Sequence, residues 1–287
     1  MKVVFACHIY DFHKEYCYNI AEEVESRGGT AIFTKNRNEH HEDADFTIQP
    51  DEAYSRHGGK GVWINHALPI IPQNKFYLER PFIDRLKRNS DYIFTFSEAW
   101  AKWHKMFGLP VYVCGLPKLD KLHNNLERRG TVIYAPTHHL KNNVYSGNNI
   151  DVNELKSFCL ANGFKKFISR GHPAFNKSDL TLADTLKEAS LVISDYSSVG
   201  LESIILNIPT ILLGNTEWKQ YDNQHISGLA DEAATRVYDL TELKNAIKFY
   251  AADSSHKEPE RIKHSNILCD FQGSASKKMV DLLEGLM

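Results

Sequence analysis

Ala189-Ser-Leu-Val-Ile-Ser-Asp-Tyr-Ser-Ser-Val-Gly-Leu-Glu-Ser-Ile-Ile-Leu-Asn-Ile-Pro-Thr-Ile-Leu-Leu-Gly214 is the segment from which the fold is read. Leu191 to Ile193 is a short apolar, β-branched run of the kind buried in parallel sheets. Ser194, Asp195, Ser197 and Ser198 are small polar residues that start helices. Val199 to Leu206 is apolar on nearly every side, which predicts a buried helix, and Pro209 ends it before a strand at Thr210 to Leu213. Strand, hydroxyl-rich turn, buried helix and strand together make an anion site. Amides and hydroxyls gather at the positive end of a helix dipole, on the carboxyl edge of a parallel sheet. Glu202, one turn into the helix, stands where a ribose diol could be held. The simpler reading makes Ser197 and Ser198 ordinary caps and Glu202 a solvated first-turn acid.

Outward from this unit, the 287 residues suffice for two α/β domains. With 42% hydrophobic residues and a mean hydropathy of -0.41 the chain reads as globular. Its 34 basic and 36 acidic residues create no field that would draw it to nucleic acid. No apolar run is long enough to span a bilayer, and MKVVFACHIY reads as a strand without a cleavage pattern. Cys7, Cys17, Cys114, Cys159 and Cys269 are scattered, odd in number and free of CxxC spacing. That argues for reduced thiols and a cytoplasmic chain, with a peripheral position at a membrane left open, and against a zinc site.

Before the central unit, Lys2 to Ala6, a helix from about Tyr16 to Arg27 closed by Gly28-Gly29, and Thr30 to Phe33 form a βαβ opening. His40-His41 reads as a solvated loop pair with no metal-ligand spacing beside it. Val62 to Ile64 is a strand ending in Asn65-His66. A histidine at the carboxyl end of a parallel strand can take a proton from a hydroxyl near neutral pH, or can simply be hydrogen-bonded beneath the loop. Strands follow at Asp91 to Phe96 and Val111 to Cys114. Between them a helix from Glu98 to Met106 carries Trp100 and Trp103 which, with Phe107, read as core. The stretch from Gly115 to Gly130 is rich in turn residues and charge, and is the best interdomain linker. The pattern then restarts with strands at Thr131 to Ala135 and Lys166 to Ser169, around a helix from Glu154 to Ala161. Three strand exits in this half therefore carry Thr137, then Arg170 with His172, then Ser197 with Ser198. In a parallel sheet these lie on one edge and could converge on a pyrophosphate. A short strand near Arg236 to Tyr238 and helices at about 240–251 and 275–286 complete the chain.

Seven short stretches occur in one order: Trp63-Ile-Asn-His-Ala-Leu-Pro69 with Lys75, Ser97-Glu98, Gly115-Leu-Pro-Lys-Leu-Asp120, Tyr134-Ala-Pro-Thr137, Arg170-Gly-His-Pro173, Ser194-Asp-Tyr-Ser-Ser-Val199 with Glu202, and Asp270-Phe-Gln-Gly-Ser-Ala-Ser276. In that order they resemble the CDP-glycerol glycerophosphotransferases of teichoic-acid and capsule-like biosynthesis, from about residue 60 onward. The resemblance implies a GT-B fold, α/β throughout, with two Rossmann-like domains facing across a cleft. The expected division is 1–118 on the acceptor side, 119–270 binding the nucleotide donor, and 271–287 as a helix that could pack back on the first domain. It implies that His66 is the general base. Arg170, His172, Ser197, Ser198 and Thr137 would contact the donor pyrophosphate, and Glu202 the ribose or its substituent. Asp195, Lys118 and His139 are secondary candidates, His139 standing near the place of an arginine that the family has after Ala-Pro-Thr. Where the family commonly reads Trp-His-Gly, this chain has Asn65-His66-Ala67.

The expected reaction is metal-independent transfer of a glycerol-phosphate group from a CDP-activated donor to a hydroxyl acceptor, with no cofactor beyond the donor. The acceptor would be a glycan, glycerol phosphate or another hydroxyl compound, and a single addition suits the chain better than polymerisation. Alternatives on the same fold are a glycosyltransferase using a UDP-, CMP- or other nucleotide-sugar, a nucleotide-sugar epimerase, and a non-catalytic nucleotide-binding module.

Overall fold

The computed structural model describes residues 1–8, 13–51, 54–64, 80–136, 150–171, 181–195, 197–214 and 229–287. They divide into two compact units. The first comprises Met1–Ala67, Gln73–His123 and Ile267–Met287, and the second Leu68–Pro72 and Asn124–Asn266.

The first unit is built on a parallel sheet of β1 (Lys2–Phe5), β2 (Thr30–Phe33), β3 (Phe46–Gln49), β4 (Lys60–Ile64), β5 (Tyr92–Thr95) and β6 (Val111–Val113), ordered β2-β1-β3-β4-β5-β6. Helices α1 (Lys14–Ser26), α2 (Arg80–Asn89) and α3 (Glu98–His104) connect these strands. The second unit repeats the arrangement with β7 (Thr131–Ala135), β8 (Lys166–Ser169), β9 (Ala189–Ser194), β10 (Thr210–Leu213) and β11 (Thr235–Val237), ordered β11-β10-β9-β7-β8 and again parallel. Its helices are α4 (Val152–Ala161), α5 (Leu182–Lys187), α6 (Ser198–Ile205), α7 (Leu229–Ala233), α8 (Leu240–Ala252) and α9 (Glu258–Leu268). In both units the first strand is central, the second lies on one side, and the third and later strands lie on the other. Strand order therefore reverses between β1 and β3, and between β7 and β9. At such a point the chain leaves in opposite directions and opens a crevice at the carboxyl edge.

Local chemistry sets the element ends. Asp151, Thr181 and Asp239 cap α4, α5 and α8, Thr181 in a reciprocal capping box with Asp184. Strand β3, not foreseen from sequence, is buried at all four positions although two of them are polar. Thr47 Oγ1 donates to the Gly58 carbonyl at 2.6 Å, and Gln49 Nε2 to the Tyr54 carbonyl at 3.0 Å. Ser90 Oγ donates to Gln49 Oε1 at 2.8 Å. Helix α9 was also unforeseen, because the side chains it buries include Arg261, His264 and Ser265 and give no apolar period. Helix α2 is strongly basic and buries only Phe82 and Leu86.

The C-terminal helix α10 (Ala275–Gly285) belongs to the first unit. Its Met279, Val280 and Leu283 join Val3, Phe5, Ile20 and Val24 in one core cluster. Arg27 on α1 reaches Asp281 at 2.7 Å and Glu284 at 2.9 Å. A half-buried carboxylate fixes the start of α10: Asp120 accepts from the Ala275 amide at 3.0 Å, the Ser276 amide at 2.7 Å and Ser276 Oγ at 2.5 Å. Gly115 lies beside this clasp at φ +85°. A Cβ there would collide with the Asp270 carbonyl and the Ala275 methyl, so both backbone angle and space require glycine. Asp120→Asn turns one acceptor oxygen into a donor facing these amides. We expect it to cost roughly 2–3 kcal/mol, measured as a lowered urea midpoint. An unchanged midpoint would show that the clasp does not hold α10.

Of the aromatic group expected to be core, Trp100 and Phe107 are buried and Trp103 is half-buried against them. Trp63, Trp100 and Phe107 are buried around His104, whose Nδ1 lies 2.7 Å from Thr95 Oγ1. Burial pushes the His104 imidazole from an ordinary 6.5 down to about 3. The unfolded chain therefore takes up this proton first, and the contribution is complete above about pH 6.5 and lost as pH falls toward 3. Its slope is about 1.4 kcal/mol per pH unit for one proton. Chemical denaturation of wild type and His104→Gln between pH 7 and 4 should show a stability gap that narrows with acid. A gap independent of pH would contradict a neutral buried ring.

Candidate functional site

The second sheet brings three strand exits together. Register pairs Tyr134 with Ser169 and Ala135 with Ser194, so β7, β8 and β9 end within one residue of the same level. The Arg170 amide donates to the Tyr134 carbonyl at 2.8 Å, and Ser194 Oγ donates to the Ala135 carbonyl at 2.9 Å. Beyond those bonds the chain leaves the sheet at Pro136, Arg170 and Asp195. The central exit, from β7, is flanked by those of β8 and β9, and the β7–β9 pair is the point where strand order reverses.

After β9, Asp195 and Ser197 lead into α6. The Ser197 amide donates to Asp195 Oδ1 at 3.3 Å, and Ser197, in extended conformation, is the N-cap of α6. Its Oγ accepts from the Val199 amide at a long 3.5 Å, and the Gly200 amide donates to the Ser197 carbonyl at 3.0 Å. Ser198 is the first residue of the helix, and both serines are partly exposed. Asp195 is buried. Burial, and next the Asp195 charge, raise the Tyr134 phenol well above its ordinary value. Capping by Ser197 is thus real, and the hydroxyl of Ser198 adjoins it at the positive end of the dipole.

Glu202 is completely buried, as is every residue of α6 from Val199 to Ile205. The expectation of a solvated first-turn acid is therefore wrong. Protein encloses its side chain in a helix that packs on β9 and β10. Arg170 is also largely buried, and its Nη1 donates to Thr185 Oγ1 on α5 at 3.2 Å. Lys118, in a 3₁₀ turn over Pro117–Leu119 of the first unit, holds its ammonium 4.1 Å from the centre of the Tyr16 ring. His66, Thr137, His139 and His172 lie outside the described residues, as do Asn65 and Lys75. Among the described residues, no group of three or more His, Cys, Asp or Glu side chains is arranged to hold a metal ion, and no helix is long and apolar enough to cross a membrane. All five cysteines are free and buried.

Two of the seven stretches quoted above prove architectural. The one ending in Asp120 and the one running from Asp270 to Ser276 meet each other in the clasp on α10 rather than at a strand exit. The exit at β9 and the exit at β8, by contrast, share one sheet edge.

Two parallel Rossmann-like sheets in one chain are the GT-B arrangement, a fold of nucleotide-dependent transferases. The chain is similar in structure to the wall teichoic acid polymerase TagF, with a TM-score of 0.73 at 15% identity over 99% of this chain and 88% of that one; a TagF variant soaked with CDPG gives the same score at 14% identity. A UDP-N-acetylglucosamine 2-epimerase from Listeria monocytogenes matches at a TM-score of 0.61 and 10% identity over 99% and 96% of the two chains. Spinosyn forosaminyltransferase SpnP matches at 0.53 and 11% over 100% and 99%. No curated protein sequence matches the chain. Residues 82–285, more than two thirds of it, match the family of CDP-glycerol:poly(glycerophosphate) glycerophosphotransferases, and the chain belongs to that family.

The cap itself is testable apart from function. Ser197→Ala should lower stability by about 1 kcal/mol, and Ser197→Gly by only a few tenths, as read from thermal melts. Equal losses for both would mean that Ser197 does not cap α6.

Proposed function

We propose that the protein transfers glycerol phosphate from CDP-glycerol to a hydroxyl acceptor. The observation carrying this is the alignment of the β7, β8 and β9 exits at the reversal point of the second sheet, in a chain of the glycerophosphotransferase family. Arg170, Ser197 and Ser198 stand on those exits, Thr137 and His172 follow two of them in the sequence, and together they would bind the diphosphate. Glu202, wholly buried in α6, is assigned to the ribose or glycerol hydroxyls, a contact that needs the first turns of the helix to open. Asp195 would hold the turn, through the Ser197 amide.

Chemically, the acceptor oxygen attacks the phosphorus that bears the glycerol. A new O–P bond forms, the P–O bond to cytidine monophosphate breaks, and the acceptor proton passes to His66, two positions past β4 in the sequence. The leaving phosphate gains charge as it departs, so donors preorganised on the strand exits stabilise the transition state more than the ground state. Helix-end amides, arginine and histidine supply that charge without a metal ion. In this assignment Lys118 and His139 are supporting cations. A nucleotide-sugar transferase is the alternative the fold admits, and the donor panel below separates the two.

Calorimetry should show CDP-glycerol binding in preference to UDP- and CMP-sugars, weakened by about 1.5–3 kcal/mol in His172→Ala. Turnover should survive EDTA and fall by two or more orders of magnitude, roughly the worth of a general base, in His66→Ala. Tight binding of a nucleotide-sugar without CDP-glycerol binding would assign the other transfer. Loss of turnover in EDTA restored by a divalent ion would overturn the metal-free step.

A further inference from the structure

Arg170 is anchored at both ends, within the second unit. Its amide donates to the Tyr134 carbonyl at 2.8 Å, which fixes its backbone to β7 where β8 leaves the sheet. Its Nη1 donates to Thr185 Oγ1 on α5 at 3.2 Å. Arg170 is 8% exposed and Thr185 1%, and a hydrogen bond so enclosed is stronger than one in water.

The groups themselves set the polarity of this contact. A guanidinium only donates, and a hydroxyl has one hydrogen and two lone pairs. Thr185 Oγ1 gives its hydrogen to the Thr181 carbonyl at 2.8 Å, one helical turn back, and a lone pair of the same oxygen receives Arg170. Threonine readily adopts this backward-bonded rotamer in a helix. The backbone of α5 thus aims the oxygen. A helix of six residues cannot hold itself, and α5 is fastened at each end. At its head the Asp184 amide donates to Thr181 Oγ1 at 3.0 Å and the Thr181 amide to Asp184 Oδ2 at 3.2 Å. At its tail the Glu127 amide donates to the Lys187 carbonyl at 2.8 Å, and Lys187 Nζ lies 2.7 Å from Glu127 Oε1.

A carboxylate at position 185 would hold the guanidinium more tightly but would spend the positive charge that a diphosphate needs. A valine would fill the same space and hold nothing. A neutral hydroxyl directs the arginine and leaves its charge intact.

We infer that Thr185 is a positioning residue for the transfer: it fixes the plane of the Arg170 guanidinium at the exit of β8, so that the charge meets the donor diphosphate. Thr185 acts through Arg170 and touches no substrate. Resting on the reading above, this deepens it by naming the group that aims one of its cations.

The test pairs guanidinium nitrogen spectra of the full chain with CDP-glycerol kinetics. In the free protein the two Nη signals of Arg170 should be resolved, as in a side chain whose rotation is blocked. They should merge in Thr185→Val and separate again in Thr185→Ser, which restores the oxygen. Thr185→Val should lower kcat/KM for CDP-glycerol by at least about tenfold, as expected for one charge-assisted contact. Part of the loss should fall in kcat, because the leaving phosphate gains charge in the transition state. In an Arg170→Lys background the same substitution should change turnover little, since the two residues act as one unit. The spectra and Thr185→Ser keep the test decisive should Arg170→Lys not fold. Resolved Nη signals in Thr185→Val, or a loss of turnover as large in the Arg170→Lys background, would overturn the inference. If wild type turns over CDP-glycerol and Thr185→Val matches it, the inference falls and the transfer reading stands. If wild type takes a nucleotide-sugar instead, and Thr185→Val weakens that donor only while Arg170 is present, the transfer reading falls and the inference stands.

Discussion

Parallel strands that share an edge must send their chain away from that edge in the same direction, and where strand order reverses the departing segments part. This constraint governs both halves of the molecule. In the second sheet it sets the polar exits after β7, β8 and β9 side by side, locked by the Arg170 amide on Tyr134 and the Ser194 hydroxyl on Ala135. In the first the reversal falls between β1 and β3, beside which His8 packs edge-on against Tyr54 and His57. One rule of chain routing thus sets a reversal point at the carboxyl edge of each sheet, the place where such folds open a crevice.

What surrounds these crevices is devoted to holding them still. Helix α6 buries an entire side-chain set, Glu202 included, so the Ser197–Ser198 turn is anchored from below. In the first unit the Asp120 carboxylate gathers two amides and a hydroxyl at the head of α10. Burial pushes that carboxyl up while these hydrogen bonds oppose the shift. A half-buried acid held in this way is a fastening, and it explains why Gly115 and Asp120 stand so near each other in sequence while their partners lie about 155 residues on. Arg27, bridging α1 to Asp281 and Glu284, adds a half-exposed brace of smaller worth.

The architecture was legible wherever burial and periodicity coincide. Thr30–Phe33, Thr131–Ala135, Lys166–Ser169 and Thr210–Leu213 are strands at the residues where β-branched and aromatic runs place them. The pattern fails where the interior is polar. Thr47 and Gln49 hide β3, and Arg261, His264 and Ser265 hide α9, because these side chains bond inside the fold, to the Gly58, Tyr54 and Ile262 carbonyls, Asn207 and Glu232, rather than facing water. Of the candidate site, the turn at Ser197 and the placement of Arg170 at a strand exit follow from sequence alone. The burial of Glu202 does not, since a lone acid in an apolar helix gives no sign of which side it faces. Outside it, His8 and His57 lie 49 positions apart and become neighbours only through the order β2-β1-β3.

The central claim is that the exits of the second sheet grip a nucleotide diphosphate, and amide hydrogen exchange with and without CDP-glycerol tests it most directly. The account predicts slowed exchange at Arg170 to Gly171 and at Asp195 to Val199, with the amino edge of the same sheet, at Thr131 and Thr210, unchanged. Slowing confined to other segments, with Ser197 and Arg170 exchanging as in the free protein, would contradict it.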